Sequence, residues 1–137
     1  MKALFMNKLK EKWREPFLRA MPVLLWIMAA VIAYDFLLQG WRKFDPNGWW
    51  APAFKKWGYP IWFMMLIGVI EVMGALLLLI PKVRHLGAVM LIIVLIGALI
   101  TRCIHGVSLE EILFFVNTIV ILCLMVGVGY KQPLKSQ

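Results

Sequence analysis

Four long apolar runs divide the chain, at about residues 21–38, 61–80, 86–104 and 112–130. Each is close to the roughly twenty residues that a helix needs to cross a hydrocarbon core about 30 Å thick. The runs are continuous rather than alternating, and lipid admits backbone only as helices or closed barrels, so the pattern predicts four transmembrane helices. The second run is the plainest. Of the twenty residues between Pro60 and Pro81, nineteen are apolar or glycine, and the exception is Glu71 near the middle. A carboxyl at mid-depth costs roughly 2.5–3.5 kcal/mol on insertion scales, so Glu71 is expected to face other helices or a wet cavity. Gly68, Gly74 and Ala75 share its helix face, a small-residue surface that admits a close neighbour. Gly87, Ala88, Gly97 and Ala98 offer the same in the third run.

The connections differ in character. Residues 1–20 carry six Lys/Arg and two Glu, with Leu4, Phe5, Leu9 and Trp13 sharing roughly one helix face. Two readings fit: a basic amphipathic helix on an anionic membrane surface, or a solvated basic tail. Residues 39–60 mix Trp41, Trp49, Trp50, Trp57 and Tyr59 with Arg42, Lys43, Lys55 and Lys56 around an Asp45-Pro46-Asn47-Gly48 turn. Aromatic rings and long cationic stems together suit the headgroup layer, so this segment is an interfacial loop or short helix over the bundle. Five residues, Pro81 to His85, join the second and third runs and force them antiparallel. Ser108 followed by Glu111 is a capping-box pattern opening the fourth run. The domain organisation is therefore an N-terminal segment 1–20, a four-span membrane domain 21–130, and a short basic tail 131–137 read as disordered.

Composition agrees with the pattern. The chain has 137 residues, 63% of them hydrophobic, more than a soluble domain can bury. The net charge of +8 is spread over the ends of apolar runs rather than gathered in a patch, which argues against nucleic acid. Ten of the fifteen Lys/Arg fall on the side of the N-terminus, the second connection and the tail. The positive-inside rule places that side, and both termini, in the cytoplasm.

Five polar residues are candidates for binding a ligand: Glu71, Asn117, His105, Asp35 and Arg102. Asp35 stands near the outer end of the first run, and Arg102 and His105 near the outer end of the third. Asn117 lies roughly 9 Å, and Glu71 roughly 16 Å, below the outer ends of their runs. If all faced inward they would line a funnel open to the outside, with Glu71 at its floor. Its own span gives Glu71 no basic partner, so a neutral carboxyl donating to a carbonyl or to Asn117 is expected. No catalytic constellation stands out. His85 and His105 belong to opposite membrane sides and make no metal pair, and Cys103 and Cys123 lie at different depths without CxxC context.

The order Gln39-Gly40-Trp41-Arg42-Lys43-Phe44, Gly58-Tyr59-Pro60, Glu71-Val72-Met73-Gly74-Ala75 with the leucines that follow, Arg84, Gly87-Ala88, and Gly97-Ala98 through Thr101 and His105 resembles the DoxX-like family of small bacterial membrane proteins. The resemblance covers about residues 21–128. It implies a compact all-α, four-helix integral-membrane bundle in the bacterial cytoplasmic (inner) membrane, termini inside. Relatives in that family include a component of a thiosulfate:quinone oxidoreductase and members linked to membrane redox assemblies. The resemblance thus implies a subunit that binds a quinone or lipid and serves a membrane redox partner. A non-enzymatic assembly or scaffold protein is the alternative, and a small oligomeric transporter, a homo-oligomer, the third. For this chain alone the reading leans away from an enzyme.

Overall fold

The computed structural model describes the backbone of residues 1–131 and the side chains of residues 1–127, so the tail beyond Lys131 lies outside the described residues. The regular structure of the described residues is all helix, in five helices: α1 Lys2–Arg42, α2 Ala51–Lys56, α3 Ile61–Leu79, α4 Arg84–His105 and α5 Leu109–Lys131. Four of them are long and apolar enough to cross a bilayer, and α2 belongs to the Trp-rich connection between the first two. Helix α1 packs on α3, α3 on α4, and α4 on α5, while α2 rests on α3.

The helix ends are where the sequence places stop signals. Pro60 is extended, releasing Ile61 as the first residue of α3, and Ile80 before Pro81 is extended and closes it. Pro52 sits in the first turn of α2, where its missing N–H costs nothing. Gly106 ends α4 with φ 94°, a conformation that other residues rarely adopt. Asn47 N–H bonds the Asp45 carboxylate at 2.9 Å, forming the expected turn. The capping box before α5 is only half made. Glu111 N–H bonds the Ser108 hydroxyl at 3.3 Å, but the Glu111 carboxylate turns away to Arg102.

Glycines set the spacing between spans. A Cβ on Gly40 would stand 2.9 Å from the Gly68 carbonyl, and one on Gly87 would stand 2.6 Å from the Gly74 carbonyl. Backbone thus lies on backbone at α1–α3 and again at α3–α4. Gly97 departs from the expectation. It is exposed, nothing lies within 4 Å of its missing side chain, and only Gly74 and Gly87 serve the α3–α4 contact.

These contacts put α1 in an unexpected register. Gly40, two residues before its end, meets Gly68 of α3, seven residues from the start of that helix, the outer end in the orientation expected from the charges, and so about 10 Å along it. Helix α1 therefore stops well short of the level at which α3 begins. The space above it is filled by the connection, whose Ala51 and Phe54 pack with Met64 under Trp50, Trp57, Tyr59 and Phe63. Non-helical backbone at this depth is tolerated where protein covers it. Below, Ala29, Ala33 and Phe36 of α1, Ala75 and Leu78 of α3, Ala88, Leu91 and Leu95 of α4, and Leu122 and Met125 of α5 form one apolar core.

Candidate functional site

The register of α1 decides what Glu71 meets. Lys43, the residue after α1, has its Cβ beside Gly68, one helical turn from Glu71, and its side chain spans that turn so that Nζ donates to Glu71 Oε2 at 2.7 Å. The two side chains are only 5% and 7% exposed. Trp50 covers the pair, with the Lys43 ammonium 4.3 Å from its ring centroid, and the Trp50 indole N–H bonds Gln39 Oε1 at 3.2 Å. Gly40 and Gly68 make room for this, since a Cβ on Gly68 would stand 3.0 Å from Lys43 Cβ. The expectation that Glu71 lacks a basic partner is thus overturned by Lys43. Asn117 is not its neighbour.

A second group of polar residues stands at the outer ends of α4 and α5. Arg102 Nη1 donates to Glu111 Oε2 at 2.7 Å, and its guanidinium lies 5.6 Å from the ring centroids of both Trp57 and Phe115. Thr101 donates to the Gly97 carbonyl at 3.0 Å, as short hydroxyl side chains do within helices. Its proton is therefore engaged, and the Tyr59 hydroxyl is the donor in the 2.9 Å bond between them. His105 Nδ1 lies 2.8 Å from the Thr101 carbonyl. A carbonyl only accepts, so Nδ1 carries the proton and Nε2 is left with a free lone pair. Between these residues and α2 lies a cavity of about 420 Å³, lined by Lys56, Trp57, Arg102, His105, Ser108 and Glu111 among others.

The five candidates from the sequence therefore separate. Arg102 and His105 line the outer cavity, and Glu71 is enclosed with Lys43. Asp35 and Asn117 are exposed on α1 and α5 and make no hydrogen bond or ion pair with either group among the described residues, so the single funnel is not formed. Sequence reasoning missed Lys43, Trp57 and Glu111 as site residues. Lys43 carried a signal, because one acid at mid-depth calls for a counterion and a lysine closes the Gly-Trp-Arg-Lys run. Among the described residues, no group of three or more His, Cys, Asp or Glu could hold a metal.

No curated protein and no solved structure matches the chain. A family comparison does: residues 27–128 match the model of the DoxX-like family, a stretch that runs from the C-terminal half of α1 through the glycine contacts, the Lys43–Glu71 pair and the cavity to the last turns of α5. With most of its length matched, this four-span membrane protein belongs to the DoxX-like family.

Proposed function

We propose that this DoxX-like protein lies in the bacterial cytoplasmic membrane with both termini inside, and holds the headgroup of a quinone or similar amphiphile in its outer cavity for a membrane redox partner. The observation that carries the reading is the cavity between Trp57, Arg102 and His105. A quinone headgroup wants hydrogen-bond donors and acceptors beside an apolar wall. Arg102 supplies donors for a quinone oxygen, and the free Nε2 of His105 accepts from a quinol hydroxyl. Trp57, Ala53 and Val107 supply the apolar wall, and the membrane leaves the ligand tail in lipid. Titrating purified protein with a short-chain quinone and following tryptophan fluorescence tests this. Saturable quenching that weakens in Trp57→Phe and in Arg102→Gln is the expected result. Quenching that stays linear in quinone, and equal in all three proteins, removes the reading.

A second reading, an assembly or scaffold protein, is favoured by the closure of the other polar site. Glu71 is used up by Lys43, and the glycine faces bring backbones together without leaving a cleft. Protein that purifies without quinone or bound lipid, and pulls down one membrane partner in stable ratio, would place it in this class.

A further inference from the structure

Helix α1 is 41 residues long, about 60 Å and twice what a bilayer core needs. Its inner end can be located. The Arg84 guanidinium, at the start of α4, lies 4.9 Å from the Trp26 ring centroid, so Trp26 stands level with the connection between α3 and α4. Everything from Lys2 to about Leu24, some 35 Å of helix, lies beyond the inner ends of its neighbours. That part is exposed nearly all round.

Its surface is two-sided. At about 100° per residue, Phe5, Leu9, Trp13 and Phe17 form a line, joined by Met6, Pro16 and Ala20 in an apolar stripe about 120° wide. Phe5, Trp13 and Phe17 are each more than 60% exposed. Lys8, Lys12 and Arg19 border the stripe on one side and Lys10 and Arg14 on the other, while Glu11 and Glu15 fall on the opposite face together with Leu4 and Leu18; Lys2, at the helix start, is the one cation in line with the stripe. Cations at both margins and acids farthest away is the charge order of a helix lying on an anionic lipid surface, with rings in the acyl boundary and ammonium groups among phosphates. Among the described residues the stripe is exposed rather than packed on another helix, and its attachment to a membrane span keeps it at the bilayer surface.

We propose that residues 2–20 dock by this stripe on the anionic leaflet at the inner side of the membrane, the helix bending at Pro16 and Pro22. Both prolines are inside α1. Neither has an N–H for the carbonyl four residues back, so the helix is weakest along its axis there and bends at least cost. Pro22 stands between the basic segment and the span, where a right-angled turn is needed, and Pro16 lets the last turn of the segment adjust its tilt on the surface.

The test uses full-length protein with Cys103→Ser and Cys123→Ser, carrying either Leu9→Cys on the stripe or Glu11→Cys on the opposite face. Each is held in nanodiscs of neutral or of one-third anionic phospholipid and labelled with a water-soluble maleimide. Docking predicts that the Leu9→Cys thiol reacts on the order of tenfold more slowly than the Glu11→Cys thiol in anionic discs, with the gap narrowing in neutral discs and at 1 M salt, where surface attraction is screened. Equal rates for the two thiols in both lipids mean a helix standing in water, and overturn the proposal. Protection of the Leu9→Cys thiol that ignores lipid charge and salt, with disulfide-linked dimers of that variant forming on mild oxidation, assigns the stripe to a second copy and overturns it as well.

Discussion

At the residue scale the decisive group is the Lys43–Glu71 pair. Two charges in a site some 5% exposed are stabilising only together, because each alone retains its desolvation cost without a counter-charge. Glu71→Gln leaves the Lys43 ammonium buried beside a neutral amide, and Lys43→Met leaves the carboxylate. Each single change is expected to cost about 3–5 kcal/mol, seen as a large drop in thermal-unfolding midpoint in detergent. The double change Lys43→Met with Glu71→Leu should recover most of that loss, since apolar side chains of similar volume replace a buried pair well. Single and double variants of equal, undiminished stability would show that the pair is open to water. That Glu71 faces inward was legible from its solitary place in an apolar run. Its partner was not, because residues of the loop are assigned to the headgroup layer unless the depth at which α1 ends is known. That depth is set by the Gly40–Gly68 contact, a property of two helices and of neither alone.

At the scale of elements, glycine positions show how far a motif reading reaches. Gly40, Gly68, Gly74, Gly87 and Gly97 look alike in sequence, each a small residue in an apolar helix. The first four have a neighbouring helix against them, and the fifth has open space. Gly87→Ala would press a methyl to 2.6 Å of the Gly74 carbonyl and 2.8 Å of Leu78 N, backbone atoms that yield only if α3 and α4 move apart. Loss of about 1–3 kcal/mol is expected for this overpacking. Gly97→Ala meets nothing and removes backbone freedom from the unfolded chain, so a gain of about 0.4–1 kcal/mol is expected. Unfolding midpoints of the two variants beside the parent, in one detergent, check both signs. The existence of four apolar spans was legible from length, and the two ends of α3 from proline placement, but the start of α1 was not, since that helix runs on from Lys2 through Pro16 and Pro22. The half-used capping box was not, because Glu111 is claimed by Arg102 from another helix, a competitor that local sequence cannot show. Nor were the exposed positions of Asp35 and Asn117, since helical periodicity says which residues share a face and not which face looks inward.

At the scale of the whole molecule, polarity and packing are divided by depth. The buried polar side chains among the described residues are Lys43, Glu71 and Thr101. All three are on the outer side of the apolar core; at its inner edge stands the half-buried Arg84, whose Nε donates to the Leu78 carbonyl and whose Nη2 is buried without a partner among the described residues. There Leu78, Leu91 and Leu122 have no exposure and Met125 has 1%, four large side chains drawn from α3, α4 and α5 that meet Ala29 and Ala33 of α1. An ion or proton moving past Glu71 toward the inner face would have to cross this layer without hydrogen-bond partners or room for water. A transport role in which one copy carries the path through its own bundle therefore predicts a conductance that the packing does not support. Protein reconstituted in liposomes loaded with a pH-sensitive dye should hold an imposed pH gradient as long as protein-free liposomes do. Replacing Leu91 by Ala opens space in the layer but adds no polar group, and the cavity is expected to stay dry and the gradient to hold. A leak in the parent protein that disappears in Glu71→Gln would instead join Glu71 to a proton path through the core, and the transporter reading would then displace the headgroup-binding one.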